Sequence, residues 1–199
     1  MKTYPVNEIF YSLQGEGFQT GTPAVFVRFA GCNLRCPFCD TDHAASQLMS
    51  ADDILREIAP YPAKMVVLTG GEPSLYVDEE LVNRLHAAGK YLTIETNGTH
   101  PMPQGIDWVT LSPKFHAFPA AQSAKARPVL TNCDELKLLY LGRELPDVSF
   151  IQARHYFLQP CDTGDVAESS RLLRSAVSYC LEHPEWRLSL QTHKLIGVR

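Results

Sequence analysis

Three cysteines crowd into eight residues of the string Gly31-Cys32-Asn33-Leu34-Arg35-Cys36-Pro37-Phe38-Cys39-Asp40. Their spacing is C-x3-C-x2-C. Thiolates this close can wrap one cubane iron–sulfur cluster, covering three irons and leaving the fourth open to a small molecule. Such clusters are often held by four cysteines, and this loop offers no fourth. Zinc is the competing reading. It wants four ligands, usually from paired C-x2-C units, and His43 would complete a Cys3His set. The spacing favours the cluster and leaves zinc open. Cys133, Cys161 and Cys180 are scattered and read as small buried hydrophobes. Three disulfides are a weak reading for a chain of this length without an export signal.

The thiols must be held by something, and the chain supplies a recurring pattern. Short apolar runs at residues 24–29, 65–69, 91–95, 107–111, 135–140, 155–158 and 186–190 read as strands. Helical patterns intervene at about 51–59, 78–88 and 167–182. Ser50 suits the N-cap of the first, Gly89 the C′ position of the second, and Pro184 closes the third. Residues 115–133 are the least periodic and read as loop plus a short helix. Strands alternating with helices predict a parallel α/β sheet. Polar or glycine-rich clusters follow the strands: Gly31-Cys32, Gly70-Gly71-Glu72, Thr96-Asn97-Gly98, Ser112-Pro113-Lys114, Gln159-Pro160 and Gln191-Thr192-His193. In parallel α/β architectures that edge is where sites are built.

Composition sets the outer limits. The 199 residues are 45% hydrophobic and 20% charged, which suits one soluble domain spanning 1–199. The chain is short for a complete eight-fold βα barrel, which takes about 250 residues. Net charge is −4 with no basic run, so no nucleic-acid partner is expected. No segment approaches the roughly 18 consecutive apolar residues of a membrane span. The first residues lack the apolar core of a secretory signal, and the expected location is the cytoplasm.

The cysteine loop resembles the radical S-adenosylmethionine superfamily, in which an aromatic residue precedes the last cysteine; Phe38 stands there. Gly70-Gly71-Glu72-Pro73, after the second expected strand, matches a second element of that superfamily. The resemblance implies a [4Fe–4S] cluster on Cys32, Cys36 and Cys39 whose open iron chelates S-adenosylmethionine, and a 5′-deoxyadenosyl radical that abstracts a substrate hydrogen. Glycines at 70 and 71 let the backbone approach the cofactor, since no Cβ intervenes.

Further strings narrow the resemblance. Leu13-Gln14-Gly15-Glu16-Gly17, Cys39-Asp40-Thr41 and Gln191-Thr192-His193-Lys194 closely resemble the 7-carboxy-7-deazaguanine synthase family, along essentially the whole chain. That implies a shortened, modified partial βα barrel and a homodimer. It also implies conversion of 6-carboxy-5,6,7,8-tetrahydropterin to 7-carboxy-7-deazaguanine with loss of ammonia, in queuosine or deazapurine synthesis. Mg2+ is the further cofactor, and a flavodoxin the expected electron donor. Thr41 would offer its hydroxyl to Mg2+, a hard cation suited to oxygen ligands. Phe38, Cys39, Asp40, Gly71, Ser112, Pro113, Lys114, Gln159, Pro160, Cys161 and Asp162 would contact S-adenosylmethionine. Leu13, Gln14, Gly15, Glu16, Thr69, Glu95, His193 and Arg199 would face the pterin. Arg28, apolar neighbours on both sides, would pair with its carboxylate as a bidentate fork.

Each residue also has a bland reading. Arg28 and Glu95 can face solvent, Asp40 and Thr41 can cap the next segment, Ser112-Pro113 can be a turn, and His193 can be structural. Three rival functions stand beside the main one, the third an iron–sulfur electron carrier, which needs no open iron and would not cleave S-adenosylmethionine. A glycyl-radical activase shares the cysteine spacing but needs an open docking mouth. A zinc-stabilised binding module would contain neither iron nor sulfide. The roles of Cys133 and Cys180, and the groups that move protons during ammonia loss, are not legible.

Overall fold

A computed structural model describes residues 2–39 and 46–199. The chain opens with an antiparallel hairpin, β1 (Thr3–Leu13) and β2 (Pro23–Phe29). Next come β3 (Gln47–Ser50), α1 (Ala51–Ile58), β4 (Met65–Gly70) and α2 (Glu79–Ala87). β5 (Tyr91–Thr96), β6 (Trp108–Leu111), the single turn α3 (Ala120–Ser123) and β7 (Asn132–Tyr140) follow. β8 (Gln152–Pro160), α4 (Val166–Glu182), β9 (Trp186–Leu188) and α5 (Thr192–Ile196) complete the order. All strands join one sheet in the order β3-β1-β2-β4-β5-β6-β7-β8-β9. From β2 to β9 every neighbour is parallel. The sheet is not closed, as the expectation of a partial barrel requires.

The seven expected strands are all present. β1, β3 and α5 were not among the expected elements, and the first expected strand was that at residues 24–29. A bulge explains the miss. Val6 pairs with Phe29 and Glu8 with Arg28, so Asn7 is the extra residue. One inserted residue flips every later side chain to the other face. Tyr4 and Val6 therefore pack into the outer core, whereas Phe10 joins an inner cluster with Phe26 and Val67. A strict alternation test over the whole segment fails for this reason.

The outer face is apolar and backed by helices. Val25, Val27, Phe29, Val66, Leu68, Leu92 and Ile94 are buried against Ile54 and Ile58 of α1 and Leu81 and Leu85 of α2. Leu136, Leu138, Leu158 and Trp186 form a second cluster with Ala176 of α4. α1 begins at Ser50 as the sequence suggests, and the other two long helices are capped by aspartates that the sequence reading did not name. Ser50 accepts from the Asp53 amide and the Asp53 side chain returns to the Ser50 amide. Asp78 caps α2 and Asp165 caps α4. Among the described residues no helix is long and apolar enough to cross a membrane.

Candidate functional site

Strand alternation turns the opposite set of side chains inward. Arg28 of β2, Thr69 of β4, Glu95 of β5, Lys137 of β7 and Gln159 of β8 all line one cavity of about 720 Å3. A strand buried on both faces is normally apolar throughout. These polar interruptions mark the face that is not packed, much as inward residues of a barrel fill its lumen.

The loop between β1 and β2 lies at the N-terminal end of β2, away from the cysteines, and reaches across the inner face. Gln14 Nε2 donates to Glu95 Oε1 at 3.0 Å, and Thr69 Oγ1 donates to Glu95 Oε2 at 3.1 Å. Lys137 Nζ donates to Glu16 Oε2, and Gln191 Nε2 donates to Glu16 Oε1 at 3.0 Å. Lys137 also stands 3.7 Å from Glu95 Oε1. Burial alone would lower Lys137 and raise Glu16. The pairing overrides both: Glu16, Glu95 and Glu135 hold Lys137 above the ordinary lysine value, and Lys137 holds Glu16 down at about 2. The loop is further pinned by the Phe18 amide, which donates to Glu135 Oε2 at 3.0 Å, and by Phe18 stacked on His155 and Trp108. Thr192 donates to the Gly15 carbonyl, and His193 packs against Gly15 so tightly that a Cβ there would overlap its ring.

At one side, Glu8 Oε1 accepts from Arg28 Nε at 2.9 Å while its other oxygen accepts from Arg199. Both guanidinium groups lie over the Phe10 ring, 5.7 and 4.9 Å from its centre. Ser12 donates to the Arg199 main-chain oxygen at 2.5 Å.

At the other end the cysteine loop leaves β2. Cys32, Cys36, Phe38 and Cys39 line the cavity. A turn closes from the Cys39 amide to the Cys36 carbonyl at 3.2 Å, and the Leu34 amide donates to Cys32 Sγ at 3.4 Å. Burial raises the Cys32 thiol and pushes Cys36 to about 11. Lys114 sits alongside, donating to the Ser112 carbonyl at 2.9 Å and to its hydroxyl at 2.5 Å, and burial lowers it from the usual lysine value.

The Gly-Gly-Glu-Pro turn, whose glycines line the cavity, also packs closely against the turn that follows β2. Gly70 has φ +129°, and a Cβ there would strike the backbone of Phe29; one on Gly71 would strike the Gly31 carbonyl. The close approach is thus between the turns that follow β2 and β4. The Gly71 and Glu72 amides donate at 3.0 Å to the Phe29 and Gly31 carbonyls. Glu72 is fully buried and accepts from Ser74, from Thr96 Oγ1 at 2.6 Å and from the Asn97 amide at 2.7 Å. It stitches the end of β4 to the end of β5 and carries the cysteine loop with it.

Of the residues expected from the sequence, Leu13, Gln14, Gly15, Glu16, Arg28, Thr69, Gly71, Glu95, Ser112, Lys114, Gln159, Pro160, Cys161, Asp162, His193 and Arg199 line the same cavity as the cysteines. Pro113 does not. Asp40, Thr41 and His43 fall outside the described residues. Asn97, part of the Thr96-Asn97-Gly98 cluster, lines the cavity too, and the sequence reading missed Glu8, Phe10 and, above all, Lys137. A signal existed for the last: Glu135 and Lys137, two apart in a strand, face the same way.

Three comparisons with known proteins bear on the site. Residues 26–113 match the family model described as the radical SAM superfamily. A 7-carboxy-7-deazaguanine synthase of Bacteroides thetaiotaomicron is 54% identical over 98% of this chain and 98% of its own length. One from Bordetella pertussis is 42% identical over 98% and 99%. The chain belongs to the 7-carboxy-7-deazaguanine synthase family. The crystal structure of QueE from Escherichia coli superposes with a TM-score of 0.71 at 30% identity, covering 94% of this chain and 93% of that one.

Membership implies a [4Fe–4S] cluster and S-adenosylmethionine. The donor set fits: three thiols on one loop, all lining the cavity, with room for a ligand beside them. Among the described residues no group of three or more His, Cys, Asp or Glu side chains is gathered around a metal position in the ligand-free chain. Thiols raised by burial must give up their protons to bind iron.

Proposed function

We propose that this chain converts 6-carboxy-5,6,7,8-tetrahydropterin to 7-carboxy-7-deazaguanine and ammonia, as a radical S-adenosylmethionine enzyme and carbon–nitrogen lyase of queuosine or deazapurine synthesis. The observation that carries the reading is one shared cavity. It joins the three-cysteine loop at one end to the Leu13-Gln14-Gly15-Glu16 segment at the other.

Cys32, Cys36 and Cys39 hold the cluster in this reading. When bound, the cluster would supply the one electron for reductive cleavage of S-adenosylmethionine to methionine and a hydrogen-abstracting radical, the hard chemistry that a cofactor brings. The chain's own residues bind, orient and exclude water. In this reading Phe38, Cys39, Gly71, Ser112, Lys114, Gln159, Pro160, Cys161 and Asp162, all lining the cavity, contact S-adenosylmethionine, and Asp40 and Pro113 are assigned with them from the family resemblance. Leu13, Gln14, Gly15, Glu16, Thr69, Glu95 and His193 face the pterin. Arg28 and Arg199, both tied to Glu8 before substrate arrives, receive its carboxylate. Mg2+ bound through Thr41 would share that carboxylate. We further propose one domain over 1–199, a homodimer, a flavodoxin as reductant and a cytoplasmic location.

The test is anaerobic reconstitution, reduction, and turnover with S-adenosylmethionine, Mg2+ and the pterin, read by mass spectrometry. The expected product is 7-carboxy-7-deazaguanine without stoichiometric 5′-deoxyadenosine. Cofactor cleavage without that product overturns the substrate; no iron and no cleavage overturns the reading altogether.

A further inference from the structure

Lys137 is the cation that neither the cysteine loop nor the carboxylate end of the cavity explains. Its side chain is only 7% exposed, yet it lines the cavity. It contacts Glu16 on the β1–β2 loop, and Glu95 on β5 lies 3.7 Å away. Each of those carboxylates uses both oxygens. Glu16 accepts from Lys137 and Gln191; Glu95 accepts from Gln14 and Thr69. A carboxylate oxygen has two lone pairs, so each retains acceptor capacity toward a ligand.

Two carboxylates sharing an enclosed site do not both stay ionised without a cation between them. A protonated one becomes a donor and no longer reads a donor. We infer that Lys137 is a positioning residue: standing between Glu16 and Glu95, it holds the two carboxyl groups side by side as acceptors for the N–H edge of the substrate, a ring N–H with an exocyclic amine beside it. This rests on the pterin reading above and deepens it by assigning which edge of the ring the Lys137 side of the cavity recognises. The opposite sides are consistent. The Arg28 and Arg199 pair suits an anion, and the Lys137 cluster, with its paired carboxylates, suits a neutral donor edge.

The test uses the reconstituted holoenzyme, anaerobically, and measures equilibrium binding of 6-carboxy-5,6,7,8-tetrahydropterin and of its 2-oxo analogue, in which the exocyclic amine is replaced by oxygen. Wild type should prefer the amine by ~100-fold, because a polar site left unpaired rejects the analogue. Lys137→Met should weaken pterin binding by ~30-fold and cut the preference below ~10-fold, with kcat changed less than KM. Lys137→Arg should stay near wild type. In a Glu16→Gln background, Lys137→Met should cost less than it does in the wild type, because the Glu16 part of the coupling is already gone and only the Glu95 part remains. That double variant still leaves Glu95 and Glu135 without their cation, so Glu16→Gln alone, in which Lys137 keeps Glu95, reports where Lys137→Met fails to fold: it should cut the amine preference, and an unchanged preference overturns the inference. Wild-type affinity and preference in Lys137→Met overturn the inference alone, as do independent, multiplying losses in the double variant. Failure of the wild type to bind the pterin, while still cleaving S-adenosylmethionine, overturns the substrate reading and takes the inference with it.

Discussion

The two faces of the sheet are written in the same strands yet obey different rules. On β2, Val25, Val27 and Phe29 turn outward and are completely buried under α1 and α2, while Arg28 turns inward to Glu8. On β7, Leu136 and Leu138 turn outward beneath α4, while Glu135 and Lys137 turn inward. The outer face is held by non-directional burial, and exchange of one apolar residue for another of like volume is tolerated there. The inner face is a connected set of charges and hydrogen bonds around an open cavity, in which each partner is specific. Stability is therefore concentrated on one face and chemistry on the other, and substitutions should separate the two.

The widest separation is expected at the cysteine loop. Cys36→Ala should abolish the cluster's visible absorption after reconstitution and reduce turnover to background. The unfolding free energy of the metal-free chain should move by only about 0.5 kcal/mol, as for other partly exposed positions. A large loss of stability would show that the inner face also carries the fold. The converse change is Leu68→Ala, at a fully buried outer position on β4. It should cost about 2–5 kcal/mol in urea unfolding. Whatever fraction stays folded should keep the cluster spectrum.

Glu72 sharpens the comparison because it belongs to neither face. Glu72→Gln keeps the shape but loses the charge and sets an amide N–H against other donors. A loss of about 1.5–3 kcal/mol is expected, together with weaker S-adenosylmethionine binding, since the turn carries the cysteine loop. Unchanged stability would mean that the Gly31 contacts alone hold that turn.

The inner face should also reveal itself through pH. Lys137 holds the Glu16 carboxyl below its ordinary value of 4.5, at about 2. A group depressed in the folded state contributes stability that is complete above its unfolded value and is lost as pH falls through the folded one. Stability from this pair should thus be full above about 4.5 and fade toward about 2. Glu16→Gln should flatten the urea-unfolding profile between those values while leaving an outer-face variant such as Leu68→Ala with the wild-type slope. An unaltered slope in Glu16→Gln would remove Glu16 from the acid response.

How much of this was legible in the sequence follows the same division. Outer-face strands were readable because burial leaves an apolar run, and their ends were predicted to within a few residues. The cysteine loop was readable because its spacing is chemically restrictive. β1 was not, since the bulge at Asn7 breaks its alternation and moves Glu8 inward. Lys137 was not singled out because its pairing with Glu16 spans 121 positions, and no local pattern announces a partner that distant. Gly70 and Gly71 were recognised for a cofactor approach, but not for the close passage of the Phe29 and Gly31 backbones, which a Cβ would strike. Sequence patterns report local periodicity and motif chemistry, whereas register and cross-strand pairing emerge only once the sheet is assembled.

The smallest effect lies where both faces are remote. Ser50 ends β3 and begins α1, and it exchanges hydrogen bonds with Asp53 in both directions. Ser50→Ala should cost about 1 kcal/mol, the usual worth of an N-cap side chain. The loss should be confined to the start of α1, whose Ile54 and Ile58 stay packed on the outer core. Hydrogen exchange should accelerate in the first turn of α1 and nowhere along β7, and turnover should be unchanged. Accelerated exchange at Lys137 would mean that the cap, the apolar layer and the charged cavity unfold as one unit, and the division between the faces would then describe chemistry but not stability.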